Sequence, residues 1–364
     1  MSNGKVIEAV SPLNGAVTNV EKKSDDLQTT ACTTGQGEVM TKSVKKALSQ
    51  VAGAVHEKYY GCGIVIPPAL EGYSVLDLGC GAGRDCFCLS KLVGPNGFVT
   101  GLDMTQEQLD VADENIDYHT RQFGYSKPNV EFKRGFIEKL TDAGIEENSY
   151  DVIVSNCVLN LSPDKQAVLW QAYKVLKEGG ELYFSDVYAD RRLSGDILKH
   201  KTLWGECFAG ALYWRDLIDI ATRVGFSTPL LVNASVIDLK NKELQRVVGD
   251  AKFVSATYRL FKVGREKATP HTCYTVYKGG IEDYEEAFKF DYSNIFKRNE
   301  IVPISGLVSE ALKASRYSGY FDFKDNGEDL EIIDPFAIVA QSSANSTSSS
   351  PNNVNDCCLK NCRN

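Results

Sequence analysis

Histidine is scarce in this 364-residue chain: the four, His56, His119, His200 and His271, show no metal-ligand spacing. No C-x-x-C pair occurs, which excludes zinc ribbons, since they need two such pairs. No stripe of Lys and Arg occurs, and the net charge is −8. That balance argues against a nucleic-acid partner, because phosphate binding needs a concentrated basic footprint. No apolar run approaches the roughly 18 residues of a membrane-spanning helix. The opening Met1-Ser2-Asn3-Gly4-Lys5 lacks the apolar core of a secretory signal. In Asn361-Cys362-Arg363-Asn364 the cysteine stands one position off a prenylation box. These absences predict a soluble, cytoplasmic protein with neither nucleic acid nor membrane as a partner; a monomer is expected.

A hydrophobic fraction of 43% supports packed cores, and the length suits about two domains. Eleven cysteines need an explanation. In a reducing cytosol they are buried apolar residues, ligands or redox groups rather than a disulfide framework. Cys86 and Cys88, two apart on a helix, point roughly 200° away from each other, so core packing suits them better than a shared ligand.

Residues 1–42 are polar and aperiodic and read as a flexible arm carrying Cys32. Helical spacing runs from Ser43 to Glu57. From Ser74 the chain alternates strands with helices. Strands are expected at Ser74–Leu78, Gly97–Leu102, Asn129–Lys133, Asp151–Ser155 and Glu181–Asp186. Between the last two, Ser162 caps a helix with Pro163 in its first turn, and Gly179-Gly180 ends it. The alternation implies an α/β fold, a doubly wound, mostly parallel Rossmann-like sheet, over 43–225. Residues 226–340 alternate like strands at Val232–Leu239, Phe253–Val263 and His271–Tyr277, and read as a smaller C-terminal α+β domain. The Ser/Asn-rich stretch 341–364, with Cys357, Cys358 and Cys362, cannot bury a core and reads as a disordered tail.

Asp77, Gly79, Gly81 and Gly83 follow the first strand directly and open a helix, so backbone can approach a ligand closely there. A tight turn needing glycine explains one or two of these glycines but not the arrangement. Asp103 ends the next strand, where a carboxylate can accept both hydroxyls of a ribose. The D-x-G-x-G-x-G form resembles the first motif of class I S-adenosylmethionine-dependent methyltransferases. Dinucleotide folds prefer a glycine where Arg84-Asp85 stands, and Asp77 suits an amino group better than a phosphate. The resemblance implies further cofactor contacts at Tyr60 and Met104, at Ile137 and Glu138 beside the adenine, and at Asn156 beside the methyl donor.

Cys157 follows the fourth strand, on the rim that carries Asp103 and the glycine turn. Cys207, in Leu203-Trp204-Gly205-Glu206-Cys207-Phe208-Ala209-Gly210, lies beyond the fifth strand. Cys62, after Tyr59-Tyr60-Gly61, precedes the first. Packing covers any one of them, whereas three could converge on one edge of the cofactor. Tyr59-Tyr60-Gly61-Cys62-Gly63, Asp77–Asp85, Ser155-Asn156-Cys157-Val158-Leu159-Asn160-Leu161 and Gly205-Glu206-Cys207 together resemble the arsenite methyltransferases. Tyr258-Arg259-Leu260-Phe261 and Thr272–Gly279 are similar to that family as well, over about residues 30–330 in all.

The resemblance implies an enzyme of arsenic detoxification that uses S-adenosylmethionine. Its substrates would be arsenite and methylarsenite, arriving as thiol conjugates. Trivalent arsenic would be held by Cys157 and Cys207, with Cys62 or a small thiol as third ligand. It also implies a catalytic Cys32–Cys62 disulfide cycle, reopened by thioredoxin or glutathione. Two other readings stay open on the sequence: a methyltransferase of an organic small molecule, and a non-enzymatic metalloid-binding protein.

Overall fold

The computed structural model describes residues 40–59, 63–237, 239, 241–264, 273–325, 335–336 and 338–339, with the backbone of two further strands. These are β1 (Val6–Val10) and β2 (Val17–Glu21), which pair antiparallel within the stretch expected to be an aperiodic arm. Their Val, Ile and Thr residues favour extended backbone. The helix expected from Ser43 to Glu57 is two: α1 (Lys42–Leu48), capped by the Thr41 hydroxyl, and α2 (Gly53–Glu57). The Ser49 hydroxyl donates to the Lys46 carbonyl at the break, the local competition that serine offers a helix.

Strands and helices then alternate as β3 (Ser74–Leu78), α3 (Arg84–Val93), β4 (Phe98–Asp103), α4 (Gln106–Glu114), α5 (Ile116–Phe123), β5 (Val130–Arg134), β6 (Tyr150–Asn156), α6 (Lys165–Val175) and β7 (Leu176–Ala189). The five strands lie parallel in the order β5-β4-β3-β6-β7. Val75, Leu76, Leu78, Val152 and Ile153 have no solvent exposure, as a sheet covered on both faces requires. The doubly wound fold expected from the sequence is present. The cap of α6, however, is Asp164, whose carboxylate accepts from the Ala167 N–H. Ser162 instead accepts from the Asp164 N–H and bonds Glu138. The glycines Gly179 and Gly180 lie inside β7 rather than ending the helix.

After β7 come α7 (Gly195–Leu198), α8 (Lys201–Gly205), β8 (Leu212–Tyr213), α9 (Trp214–Val224), β9 (Leu230–Ile237), α10 (Lys242–Val248) and β10 (Phe253–Phe261). β10 and β9 extend the same sheet antiparallel from β7, while β8 pairs parallel with the end of β7. The sheet therefore does not stop at 225, where a domain change was expected. The change of texture there marks the switch from parallel to antiparallel pairing, which lets strands be joined without long crossovers.

A second, smaller unit starts at β11 (Cys273–Tyr277). It adds the hairpin β12 (Ala287–Lys289) and β13 (Ile295–Lys297), then β14 (Ile301–Ile304), α11 (Gly306–Ala314) and β15 (Phe321–Asp325). Its core is aromatic, built on Tyr277, Phe288, Phe290, Phe296, Tyr317 and Phe321. Among the described residues no helix is long and apolar enough to cross a membrane.

The two units share one buried ionic cluster. Glu181 of β7, with no solvent exposure, faces Arg259 of β10 at 2.6 Å and Arg316, just past α11, at 2.5 Å. Burial alone would raise the Glu181 pKa, but the two guanidinium groups outweigh it and hold the carboxyl below its usual range. Arg259 also donates to the Phe290 carbonyl and the Tyr317 hydroxyl, and Arg316 to the carbonyls of Pro68 and Ala69. Arg259→Met is expected to destabilise the protein by roughly 3–5 kcal/mol, because it weakens the compensation of a buried carboxylate. The half-exposed Lys177–Asp151 pair is the control, with Lys177→Met costing less than about 1 kcal/mol. Urea unfolding of both variants at neutral pH measures the contrast.

Candidate active site

A cleft opens at the carboxyl ends of β3 and β6, lined by Tyr59, Asp77, Gly79, Cys80, Gly81, Ala82, Arg84, Asp85 and Asn156. The three turn glycines all have positive φ (73°, 54° and 84°) but play different parts. A Cβ on Gly79 would stand 2.5 Å from Val158, and one on Gly83 would stand 2.7 Å from Phe132, so both are bare for packing. A Cβ on Gly81 would meet no atom of the described residues within 4 Å; it would take up space in the cleft.

Asp103 holds this turn in place. Its two carboxylate oxygens accept from the N–H groups of Gly81 and Thr105, each at 2.9 Å, which leaves lone pairs free for a ligand's hydroxyls. Asp77 lies beneath the turn with its pKa raised to about 7, by burial first and then by the nearby Asp85. Burial likewise raises Asp85, against the pull of Arg84. The Arg84 guanidinium lies 3.1 Å over the Tyr59 ring, pairs with Asp85 at 2.7 Å and donates to the Gly63 carbonyl. Asn156 donates to the Tyr59 hydroxyl and to the Gly63 carbonyl, while its Oδ1 is buried with no hydrogen-bond partner among the described residues.

These features fit S-adenosylmethionine. Three carboxylates against one arginine suit a ligand bearing a sulfonium and an ammonium. The orphaned Asn156 Oδ1 and the open space over Gly81 both face the place where the ligand would lie.

The remaining expected contacts divide. Ile137 packs in the main core, and Glu138 is bonded to Ser162. Met104 is half-buried, its carbonyl accepting from Arg134. None of the three lines the cleft, and Tyr60 lies outside the described residues. Tyr59, Arg84 and Asp85 are lining residues that sequence reasoning did not assign. The run Tyr59–Gly63 and the pair Arg84-Asp85 were the available signals.

Cys157 and Cys207 are brought together. Cys157 follows β6 and gives its N–H to the Ser185 carbonyl, and the Cys207 thiol donates to the Cys157 carbonyl at 3.1 Å. Both are buried, and both have left-handed backbone, φ 55° and 65°, a conformation that ordinary side chains avoid. Asn160 joins the two loops, its side-chain amide donating to the carbonyls of Val187 and Cys207. Val158, next to Cys157, leans on Gly79, so the thiol loop touches the cofactor turn. Lys165 stands near Cys207 and Asp186; burial pulls its pKa down and Asp186 opposes that. Cys32 and Cys62 lie outside the described residues.

Two outcomes follow from the cleft. Gly81→Ala is expected to cost roughly 1–2 kcal/mol of stability, the left-handed penalty, but to weaken S-adenosylmethionine far more, as calorimetry would read. Cofactor affinity is also expected to fall roughly ten-fold or more between about pH 7.5 and about pH 5.5. The sign follows from Asp77: with its pKa raised to about 7, acidification neutralises the carboxylate that an ammonium group needs. Asp77→Asn is expected to bind weakly and to flatten that dependence.

Residues 69–246 match a methyltransferase domain family, and residues 270–363 match the arsenite methyltransferase C-terminal domain. The chain is 47% identical over 352 residues to arsenite methyltransferase of Homo sapiens, covering 93% of each. It is 46% identical over 306 residues to that of Aquipseudomonas alcaligenes, covering 84% of this chain and 87% of the other. A solved structure of an arsenic(III) S-adenosylmethionine methyltransferase from Chlamydomonas reinhardtii superposes with a TM-score of 0.76 at 43% identity, over 80% of this chain and 99% of that one. On sequence and fold alike, the chain belongs to the arsenite methyltransferase family.

Proposed function

We propose that this protein methylates arsenite and then methylarsenite, with Cys157 and Cys207 holding the trivalent arsenic. The observation that carries the reading is the pair of buried thiols beside the cleft, in contact through the Cys207 thiol and the Cys157 carbonyl. Trivalent arsenic is soft and prefers sulfur to oxygen ligands. S-adenosylmethionine, when bound, supplies a sulfonium methyl that the arsenic lone pair can take.

The protein's own residues then have two tasks. Cys157 and Cys207 fix the direction of the lone pair. Asp77, Asp103 and Asn156 orient the donor, so that proximity and alignment supply most of the rate. No general base is required, since arsenic carries no proton to remove. Cys62 or a small thiol completes the ligand set. Methylation formally oxidises arsenic, and the Cys32 and Cys62 thiols give the two electrons that return it to the trivalent state, becoming a disulfide that thioredoxin or glutathione reduces again.

The test is the methylation rate of each cysteine variant on each substrate under one reductant. Cys157→Ser and Cys207→Ser are expected to abolish both reactions. Cys32→Ser and Cys62→Ser are expected to lose activity on arsenite while keeping much of it on methylarsenite, which needs fewer thiol ligands. Equal loss by all four would remove the division into binding and redox pairs. An active Cys157→Ser enzyme would sink the reading.

A further inference from the structure

Two thiols with no part in that scheme stand beneath the glycine turn. Cys80 belongs to the turn and lines the cleft, while Cys86, in the first turn of α3, has no solvent exposure. Their sulfurs converge on β4. A Cβ on Gly101 would stand 2.9 Å from Cys80 Sγ and 2.8 Å from Cys86 Sγ, so only a glycine there admits both. A carboxyl stands beside Cys86, whose thiol donates to Asp77 Oδ2 at 3.3 Å. The core-packing role expected for Cys86 and Cys88 holds for both: Cys88 packs with Val44 and Ala47 of α1, and Cys86 with Val75, Phe87 and Val99. Cys86 has in addition a second sulfur and a carboxyl against it.

We infer that Cys80 and Cys86 form a second site for trivalent arsenic, and that its occupation excludes the methyl donor from the cleft. Two adjacent sulfurs are the ligand set a soft trivalent centre prefers. The exchange balances without a change of oxidation state: As(OH)3 and two thiols give a dithiolate As–OH and two waters. Two S–H and two As–O bonds break, two As–S bonds form, and each thiol proton leaves with a hydroxide.

Burial pushes the Cys80 thiol up to about 11 and Cys86 well above its usual range, so both carry protons at neutral pH. The exchange needs no standing thiolate, and Asp77 is placed to carry the Cys86 proton. Gly101 of β4 and Phe132 lie against the pair on one side, and on the other Cys80 lines the cleft. The hydroxyl retained by arsenic would therefore project toward Gly81, into the space that S-adenosylmethionine needs. High arsenite would then inhibit the enzyme at its cofactor site, apart from any event at Cys157 and Cys207.

The test uses the full chain carrying Cys157→Ser and Cys207→Ser, reduced with a phosphine so that no free thiol competes. Bound arsenic is counted after desalting, and S-adenosylhomocysteine affinity is measured by calorimetry with and without arsenite. Adding Cys80→Ser is expected to remove about one arsenic per chain, since a hydroxyl is a poor ligand for a soft centre. Arsenite at about ten times its own dissociation constant is expected to weaken S-adenosylhomocysteine about ten-fold in the Cys80 protein and not in Cys80→Ser. Affinity without arsenite checks the turn itself, and Cys86→Ala repeats the experiment if Cys80→Ser disturbs it.

The inference fails if neither substitution lowers the arsenic count, or if arsenite leaves the affinity unchanged. It fails equally if peptide masses show a Cys80–Cys86 disulfide instead of an arsenic bridge. Methylation that survives Cys157→Ser would sink the thiol-capture reading above and leave this one standing.

Discussion

The carboxylate of Glu181 is the point on which the two units of the molecule meet. It sits on β7, the strand whose neighbour β6 ends at Asn156 and Cys157, and it is compensated by one arginine from β10 and one from beyond α11. Arg316 also grips the carbonyls of Pro68 and Ala69, in the segment that leads from Gly63 into β3. A charge with no solvent exposure tolerates little displacement of its partners, because each ångström of separation leaves part of the desolvation cost uncompensated. The smaller unit, the antiparallel edge of the sheet and the entry to the first strand are thereby held in one arrangement. The cleft inherits that order through Gly63, whose carbonyl receives both Arg84 and Asn156.

Around the cleft the same physics works in the other direction. Asp77 and Asp85 are buried near each other without enough positive charge between them, and both carboxyls are pushed toward neutrality. Such a site is undercompensated until a cation enters it. A sulfonium carrying an ammonium group supplies the missing charge, so the ligand completes an electrostatic arrangement that the protein leaves open. The unsatisfied Asn156 Oδ1 expresses the same incompleteness in hydrogen bonds.

The thiol site depends on strain rather than charge. Cys157 and Cys207 both hold left-handed backbone, at a cost of order 1–3 kcal/mol each. The surrounding loops offset that cost through Asn160, through the Cys157 N–H to Ser185, and through Val158 against Gly79. A cysteine in that conformation directs its sulfur where a regular strand or helix would not. The loops that bear the two thiols therefore have a geometry that packing alone would not select.

Much of this was legible in the residues themselves. The β-branched run at Val152–Val154 and the apolar strand at Ser74–Leu78 announced a parallel sheet covered on both faces. The spacing of Asp77, Gly79, Gly81, Gly83 and Asp103 announced the cofactor turn, because strand periodicity and glycine's freedom at positive φ are local properties. The thiol motifs announced the family. Other features depended on groups far apart in sequence. That Gly81 alone of the three glycines borders open space depends on Val158 and Phe132 filling the other two positions. That β10, and β9 through it, join the central sheet depends on β10 pairing with β7, whose residues stand more than 60 positions earlier in the chain. That Tyr59, Arg84 and Asp85 line the cleft, and that Glu138 meets Ser162, depends on contacts no local pattern encodes. The sequence by itself determined the elements, the chemistry of the turn and the family, since those rest on propensity and on residue type at fixed spacing. Which side chains share a site, which carboxyls are driven toward neutrality and which thiols lie side by side were decided by the tertiary structure, because burial and distance exist only once the chain has folded.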